Sequence, residues 1–322
     1  MPSRVDAPGA AAIRDAAATL RRGGLVAFPT ETVYGLGADA SNPAAVARIY
    51  AVKRRPPGHP VIVHIGGVAQ LNRWAREIPE HAAKLAARFW PGPLTLVLRR
   101  AVGVGDELTG GQETIGLRVP GHPIALELLR EFGGGIAAPS ANRFGRISPT
   151  TTDHVRKELG SDVDLILEGG ACDIGIESTI VDVSRGRPVV LRPGRIGEDD
   201  IAKTLGVAST SPDSASPRAS GSMQSHYAPR QPLRLVGSHE WDLLARQGPT
   251  RRSVMSFRAR PAGDASALWI EAPSDPDRYG HDLYANLRTL DSSGCDEIVV
   301  EEPPASAKWT AIRDRLSRAR SG

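Results

Sequence analysis

Residues 51–65 read AVKRRPPGHPVIVHI, and the way this stretch divides sets the reading of the whole chain. Just upstream, Asn42 precedes Pro43, and Val46, Ile49 and Tyr50 recur at i, i+3 and i+4. That spacing predicts a helix capped by Asn42 with proline at its first position, where a missing N–H is harmless. The helix ends where the cations Lys53, Arg54 and Arg55 begin. After two prolines, Val61, Ile62, Val63 and Ile65 form an apolar run of strand length, which places His64 inside a buried strand. Taken alone, the cations read as a solvated helix end, favoured there by the helix dipole, and His64 as a core histidine. The alternative, that both face a ligand, depends on the rest of the chain.

Ile13, Ala17 and Leu20 share one face of a first helix, closed by Gly23 and Gly24, and LVAF reads as a strand ending at Pro29. Further strands are predicted at VIVHI, LTLVLRR, TIGLRVP, GIAAPSA, DLILEGG, STIVDVS and PVVLRPG, with helices around 80–89 and 122–132. Many unevenly spaced strands and few helices predict an α+β sheet domain over residues 10–205, not a regular βαβ winding. VASTSPDSASPRASGS (207–222) has almost no apolar content and reads as a linker, taken over 206–230. From 231 to 322 strands (233–237, 252–257, 267–272, 297–301) alternate with helices (239–246, 278–290, 308–319). Leu283, Leu287 and Leu290 share one helix face. This predicts a small Rossmann-like α/β domain, though without a Gly-x-Gly-x-x-Gly fingerprint.

The 322 residues leave room for two domains, and a net charge of +4 over that length permits nucleotide or nucleic-acid contact without requiring it. Two cysteines, Cys172 and Cys295, exclude a disulfide framework and a cysteine zinc cluster, and suit a reducing cytoplasm. No apolar run approaches the roughly 18 residues that span a bilayer. The N-terminal AAIRDAAATLRRGG alternates apolar and charged residues as an amphipathic helix does, not as a signal peptide does. A soluble cytoplasmic protein is expected.

Several polar groups fall at strand ends or in glycine- and proline-rich loops, where sites are usually built. FPTETVYGLGADA (28–40) puts Thr30, Glu31 and Thr32 just after a strand. APSANRFGRISPT (138–150) does the same with Ser140 and Asn142, and GIESTIVDVS (175–184) opens a strand with Glu177, Ser178 and Thr179. TIGLRVP and LRPGRIG set Arg118 and Arg192 between apolar neighbours. A buried arginine must be paired, and breaking such a pair costs about 3–5 kcal/mol. Its partner is either a carboxylate of the chain or a ligand anion, which a guanidinium grips with two hydrogen bonds. Two such arginines, with Lys53 and Arg55 in a loop and hydroxyls at three strand ends, favour a site for a polyanion, partly phosphate. There is no Walker A ending, Gly-x-Ser-x-Gly elbow, His-Glu-x-x-His pair or Cys/His ligand set.

These blocks, with KRRPPGHPVIVHI, FWPGPLTLVL, GLRVPGHPIALELL, VVLRPGRIG and HYAP, stand in order, and together the chain resembles the threonylcarbamoyl-AMP synthase family. The match is to its long form, in which a YrdC-like domain, a twisted mixed sheet with flanking helices, precedes a small α/β domain. The resemblance implies condensation of L-threonine, bicarbonate and ATP to L-threonylcarbamoyl-adenylate and pyrophosphate, with Mg2+ accompanying ATP. It implies delivery of the adenylate to a separate tRNA threonylcarbamoyl transferase complex, which modifies the adenosine beside the anticodon in tRNAs reading A-starting codons. By the same resemblance Lys53, Arg55, Ser140 and Asn142 gather around the triphosphate. His59, Thr114, Ser148, Arg192 and Tyr227 are further ATP contacts, with Tyr227 closing over the nucleotide. Thr32, His64, Arg118, Ala138 and Ser178 hold threonine, its carboxylate on Arg118. His59 stands where the family usually has asparagine, and Gln224 and Ser225 stand where basic residues are common.

Two other readings share the YrdC-like domain. A related carbamoyl-transfer enzyme of hydrogenase maturation carries cysteine-rich zinc fingers, which two cysteines cannot build. A double-stranded RNA-binding protein would bind with strong salt dependence, and a weak RNA contact stays open; neither an aromatic stacking motif nor a dense basic stripe is present.

Overall fold

The predicted cap forms: the Asn42 side chain accepts from the Ala45 N–H at the start of a helix, Pro43–Lys53, which ends at Arg54 in the left-handed region with φ 53°. The structure, a computed structural model, describes residues 4–6, 9–221, 226–237, 240–241 and 251–320. The described chain falls into two units, Met1–Phe144 with Pro149–Ser222, and Gly145–Ser148 with Met223–Gly322. Most of the segment read as a linker therefore groups with the first unit. Gln224, Ser225 and most of the helix expected at 239–246 lie outside the described residues.

Eleven strands form the sheet of the first unit: β1 (Arg4–Asp6), β2 (Val26–Phe28), β3 (Gly35–Asp39), β4 (Ile62–His64), β5 (Ala75–Arg76), β6 (Leu94–Arg100), β7 (Thr114–Arg118), β8 (Ile136–Ala137), β9 (Leu165–Leu167), β10 (Thr179–Asp182) and β11 (Val189–Arg192). Their order is β1-β9-β2-β3-β8-β4-β7-β6-β10-β11, with β5 beside β6. The pairings mix directions: β4 runs parallel to β7 and antiparallel to β8, and β6 runs antiparallel to β7 and parallel to β10. This is the mixed α+β sheet that the sequence predicts.

Successive residues along the strands join different apolar clusters. Leu25, Ala27, Ala137 and Ile166 pack with Val46 and Ile49 of the Pro43–Lys53 helix and with Leu85 of the helix Glu80–Phe89. Val26, Phe28, Ile136, Leu165 and Leu167 pack with Ile13, Ala17 and Leu20 of the helix Ala10–Arg21, and with Leu128 and Leu129 of Pro123–Phe132. The two-residue period thus covers the sheet on both faces, which is why these strands read as unbroken apolar runs.

Among the elements without a counterpart in the sequence reading are β3 and the helices Thr152–Leu159 and Glu198–Leu205. The glycines of YGLG suggest a loop, yet Gly37 pairs with Val26 in an antiparallel ladder. A Cβ there would lie 2.8 Å from Ile136 Cγ2 and 2.9 Å from Phe28 Cε1, so the glycine serves close packing inside a strand.

The second unit holds a four-stranded sheet of β12 (Leu233–Val236), β13 (Arg252–Ser256), β14 (Leu268–Glu271) and β15 (Glu297–Glu301). All its pairings are parallel, in the order β12-β15-β13-β14. Asp275 caps the helix Pro276–Asp291, which buries Leu283, Leu287 and Leu290 as expected. The segment Gly145–Ser148 belongs here: Gly145 O accepts from Ala228 N–H, Ile147 O from Arg288, and Arg146 donates to Pro229 O. Among the described residues no helix is long and apolar enough to cross a membrane.

Candidate active site

The β4–β7 register sets His64 opposite Arg118. Both are buried, in the middle of the first unit's sheet. Arg118 donates from Nε to Gly92 O at 3.2 Å and from Nη1 to Thr32 Oγ1 at 3.0 Å. Its Nη2 lies 2.7 Å from Glu31 Oε1. The guanidinium therefore has a carboxylate partner within the chain, which the sequence leaves as one of two options. Thr30 fixes the turn carrying Glu31 and Thr32: its hydroxyl accepts from the N–H groups of Thr32 and Val33 and donates to Val33 O at 2.6 Å. Burial, then the Arg118 charge, push the His64 pKa down to about 3, so the ring is a neutral group at physiological pH.

Ser178, at the start of β10, lies two strands from Arg118. Its hydroxyl sits 2.8 Å from Thr95 Oγ1 on β6 and accepts from Arg192 Nη2 at 3.1 Å. Arg192 also donates twice to Ser178 O, and from Nη1 to Ser220 O at 2.9 Å. Arg55 donates to Pro60 O at 2.8 Å and to Ser220 Oγ at 3.4 Å, with its guanidinium 5.5 Å from the centre of the Phe144 ring. Two of the arginines expected at phosphate thus converge on one serine of the linker segment. Thr114, Ile62 and Thr95 line a small hollow beside Ser220 and Ala219. His59 packs its ring 5.4 Å from Phe144, and its carbonyl accepts from Tyr50.

Lys53 is bonded to the loop that follows β8. Its ammonium donates to Ser140 O and Asn142 O, each at 2.6 Å. The Lys-x-Arg and Ser-x-Asn pairs are thus joined through backbone carbonyls, with Lys53 fixing the loop that carries Ser140 and Asn142. Burial is the main force lowering its pKa well below the ordinary lysine value, and Arg55 adds to it. Ala138 N–H is used by Ile62 O, which pins β8 beside β4. Ser148 and Tyr227 fall in the second unit, where Tyr227 stacks on Tyr284 at 5.7 Å with the Arg315 guanidinium 5.3 Å from its ring centre.

Sequence reasoning quoted Glu31 and Thr95 but gave them no role. An acidic residue in a loop of threonines was the available signal for Glu31. Hydrogen bonds with a distant glutamine, Gln112, hold Arg218 two residues before Ser220, and those have no local signature. Burial raises the Cys172 thiol far above the ordinary range, so that cysteine is not an activated nucleophile. What the arrangement offers is fixed positive charge and neutral donors around a small polar ligand, chemistry by positioning and charge stabilisation.

Residues 18–194 match the family model described as "Telomere recombination", and residues 196–321 match "Threonylcarbamoyl-AMP synthase, C-terminal domain". Curated threonylcarbamoyl-AMP synthases of Pyrococcus abyssi and Bacillus subtilis are 38% and 40% identical, over 95% and 96% of this chain and 93% of each relative. The crystal structure of P. abyssi Sua5 complexed with L-threonine superposes with a TM-score of 0.91 at 36% identity, covering 99% of this chain and 96% of that one.

Proposed function

The chain belongs to the threonylcarbamoyl-AMP synthase family, and we propose that it joins L-threonine, bicarbonate and ATP into L-threonylcarbamoyl-adenylate, releasing pyrophosphate. The observation that carries this reading is the pair of buried cationic groupings in one sheet. Arg118 with Thr32 and His64 forms one, and Arg55 with Arg192 forms the other. Thr95 and Ser178 stand by Arg192 on the strands beyond β7. The first grouping suits an amino acid and the second a phosphate chain; the P. abyssi relative crystallised with L-threonine supports the first assignment.

In this reading threonine's amine, once neutral, adds to carbon dioxide drawn from bicarbonate and gives a carbamate. A carbamate oxygen then attacks the α-phosphorus, and the bond to the pyrophosphate oxygen breaks. Adenylyl transfer of this kind needs alignment and neutralisation of developing charge more than covalent help. Arg55 and Arg192 would take the phosphate charge, and Lys53 would keep Ser140 and Asn142 in position. The described residues contain no group of three or more His, Cys, Asp or Glu able to hold a metal ion. Mg2+ would arrive on the phosphate oxygens as part of the substrate. The adenylate would pass in the cytoplasm to a tRNA threonylcarbamoyl transferase.

The test is pyrophosphate release from ATP with threonine and bicarbonate each omitted in turn. Release is expected only with both present; release independent of threonine would refute the proposal.

A further inference from the structure

Glu31 and Arg118 are both buried, and Glu31 Oε1 lies 2.7 Å from Arg118 Nη2. Their contact is a charge pair without an aligned hydrogen bond. Both Glu31 oxygens and Arg118 Nη2 are buried with no hydrogen-bond partner. The other Arg118 nitrogens are engaged by Gly92 O and Thr32 Oγ1. Buried ionised groups are normally hydrogen-bonded, because leaving them bare forfeits their hydration for nothing. Beyond that one 2.7 Å contact these atoms have no polar partner, which describes a site short of polar partners.

The missing partners have a definite chemistry. A carboxylate without an aligned donor accepts from a cation rich in N–H donors. A guanidinium N–H without an aligned acceptor donates to an anion. Within one small ligand, both demands are met by the ammonium and carboxylate of an α-amino acid. Extending the proposed function, on which this inference rests, we infer that Glu31 receives the α-ammonium of the amino-acid substrate whose carboxylate the family resemblance puts on Arg118. Binding would replace a poorly aligned contact inside the protein by two aligned ones through the ligand. The site would therefore select for a free α-amino group, separately from any selection for the threonine side chain.

The experiment is calorimetric titration of the full-length wild-type and Glu31→Gln proteins with L-threonine and with (R)-3-hydroxybutyrate, which lacks only the amino group. Loss of one charge-assisted hydrogen bond predicts threonine affinity about 10- to 100-fold weaker in Glu31→Gln. The hydroxy acid should bind both proteins within about twofold, and the KM for threonine should rise while that for ATP holds. Equal weakening of the two ligands would overturn the inference, leaving Glu31 as a support for Arg118; so would unchanged threonine affinity. If Glu31→Gln fails to fold, Glu31→Asp keeps the charge one methylene further back. It should keep the preference for threonine over the hydroxy acid at reduced affinity, and loss of that preference contradicts the assignment. Wild-type protein that binds no threonine and releases no pyrophosphate refutes the proposed function itself, a result separable from a substitution that leaves threonine binding intact.

Discussion

Lys53 and Arg55 are two residues apart, yet their surroundings give them different work. Lys53 is held by two backbone carbonyls, so replacing it with methionine strips Asn142 O of the lysine donor and leaves Ser140 O with the Asn142 N–H alone. Each buried acceptor left bare costs about 1–3 kcal/mol, so Lys53→Met should lower the melting temperature by several degrees and suppress pyrophosphate release. Arg55 donates to Pro60 O and Ser220 Oγ, and Arg55→Ala should abolish release with the circular dichroism spectrum unchanged. Equal melting losses in the two variants would count against the distinction. His64 adds a pH dependence of known sign. Its folded pKa, about 3, lies below the unfolded value near 6.5, so its contribution is complete above pH 6.5 and is lost as pH falls towards 3. Between pH 7 and 5 the wild type should lose about 2 kcal/mol more than His64→Gln does, read from denaturant midpoints at each pH.

At the scale of elements, the segment Asp213–Gly221 has neither helix nor strand of its own. Beside the Arg192 and Arg55 bonds to Ser220, it is ordered by the Gln112 side chain, which accepts from Arg218 N–H at 2.6 Å and donates to Arg218 O at 3.1 Å, as a neighbouring strand would. Ala219 then packs among Ile62, Val97 and Ile180. Gln112→Ala should raise amide exchange at Arg218 and Ala219 about 10-fold or more, since two hydrogen bonds are lost, and exchange elsewhere should hold. Protection that persists would assign the order to Ala219 packing and the arginine bonds. The same contact shows where local reading stops. The polar composition of 207–222 was legible and so was the absence of periodicity, but a clip supplied from more than 100 residues away leaves no local pattern. β3 was hidden for a related reason, since its glycines answer to Phe28 and Ile136 across the sheet. By contrast the capped helix at Pro43 and the strand carrying His64 announce themselves, because cap, period and apolar run are all local. The site was legible in its residue types through family resemblance, and its internal pairing, Glu31 with Arg118 and Lys53 with two carbonyls, was not.

At the scale of the whole molecule, chain order and spatial grouping disagree at one place. Gly145–Ser148 lies between two stretches of the first unit but groups with the second. Its partners there are specific: Ala228 N–H for Gly145 O, Arg288 for Ile147 O, and Pro229 O for the Arg146 guanidinium. A chain cut after Ser222 keeps these four residues and loses every one of those partners. Gly145 stands three residues after Asn142, whose carbonyl anchors Lys53. The apolar clusters of the first unit are drawn from residues 12–219, so the truncated chain should still fold. Its loop at 143–149 should lose definition, and pyrophosphate release should fall by at least 10-fold, because misplacing positioned groups by an ångström carries a cost of that order or more. Amide exchange at Arg146 and Ile147, measured beside the rate, separates the causes. Faster exchange with slower turnover is the expected pairing, and full turnover by the truncated chain would show that the second unit serves something other than this reaction.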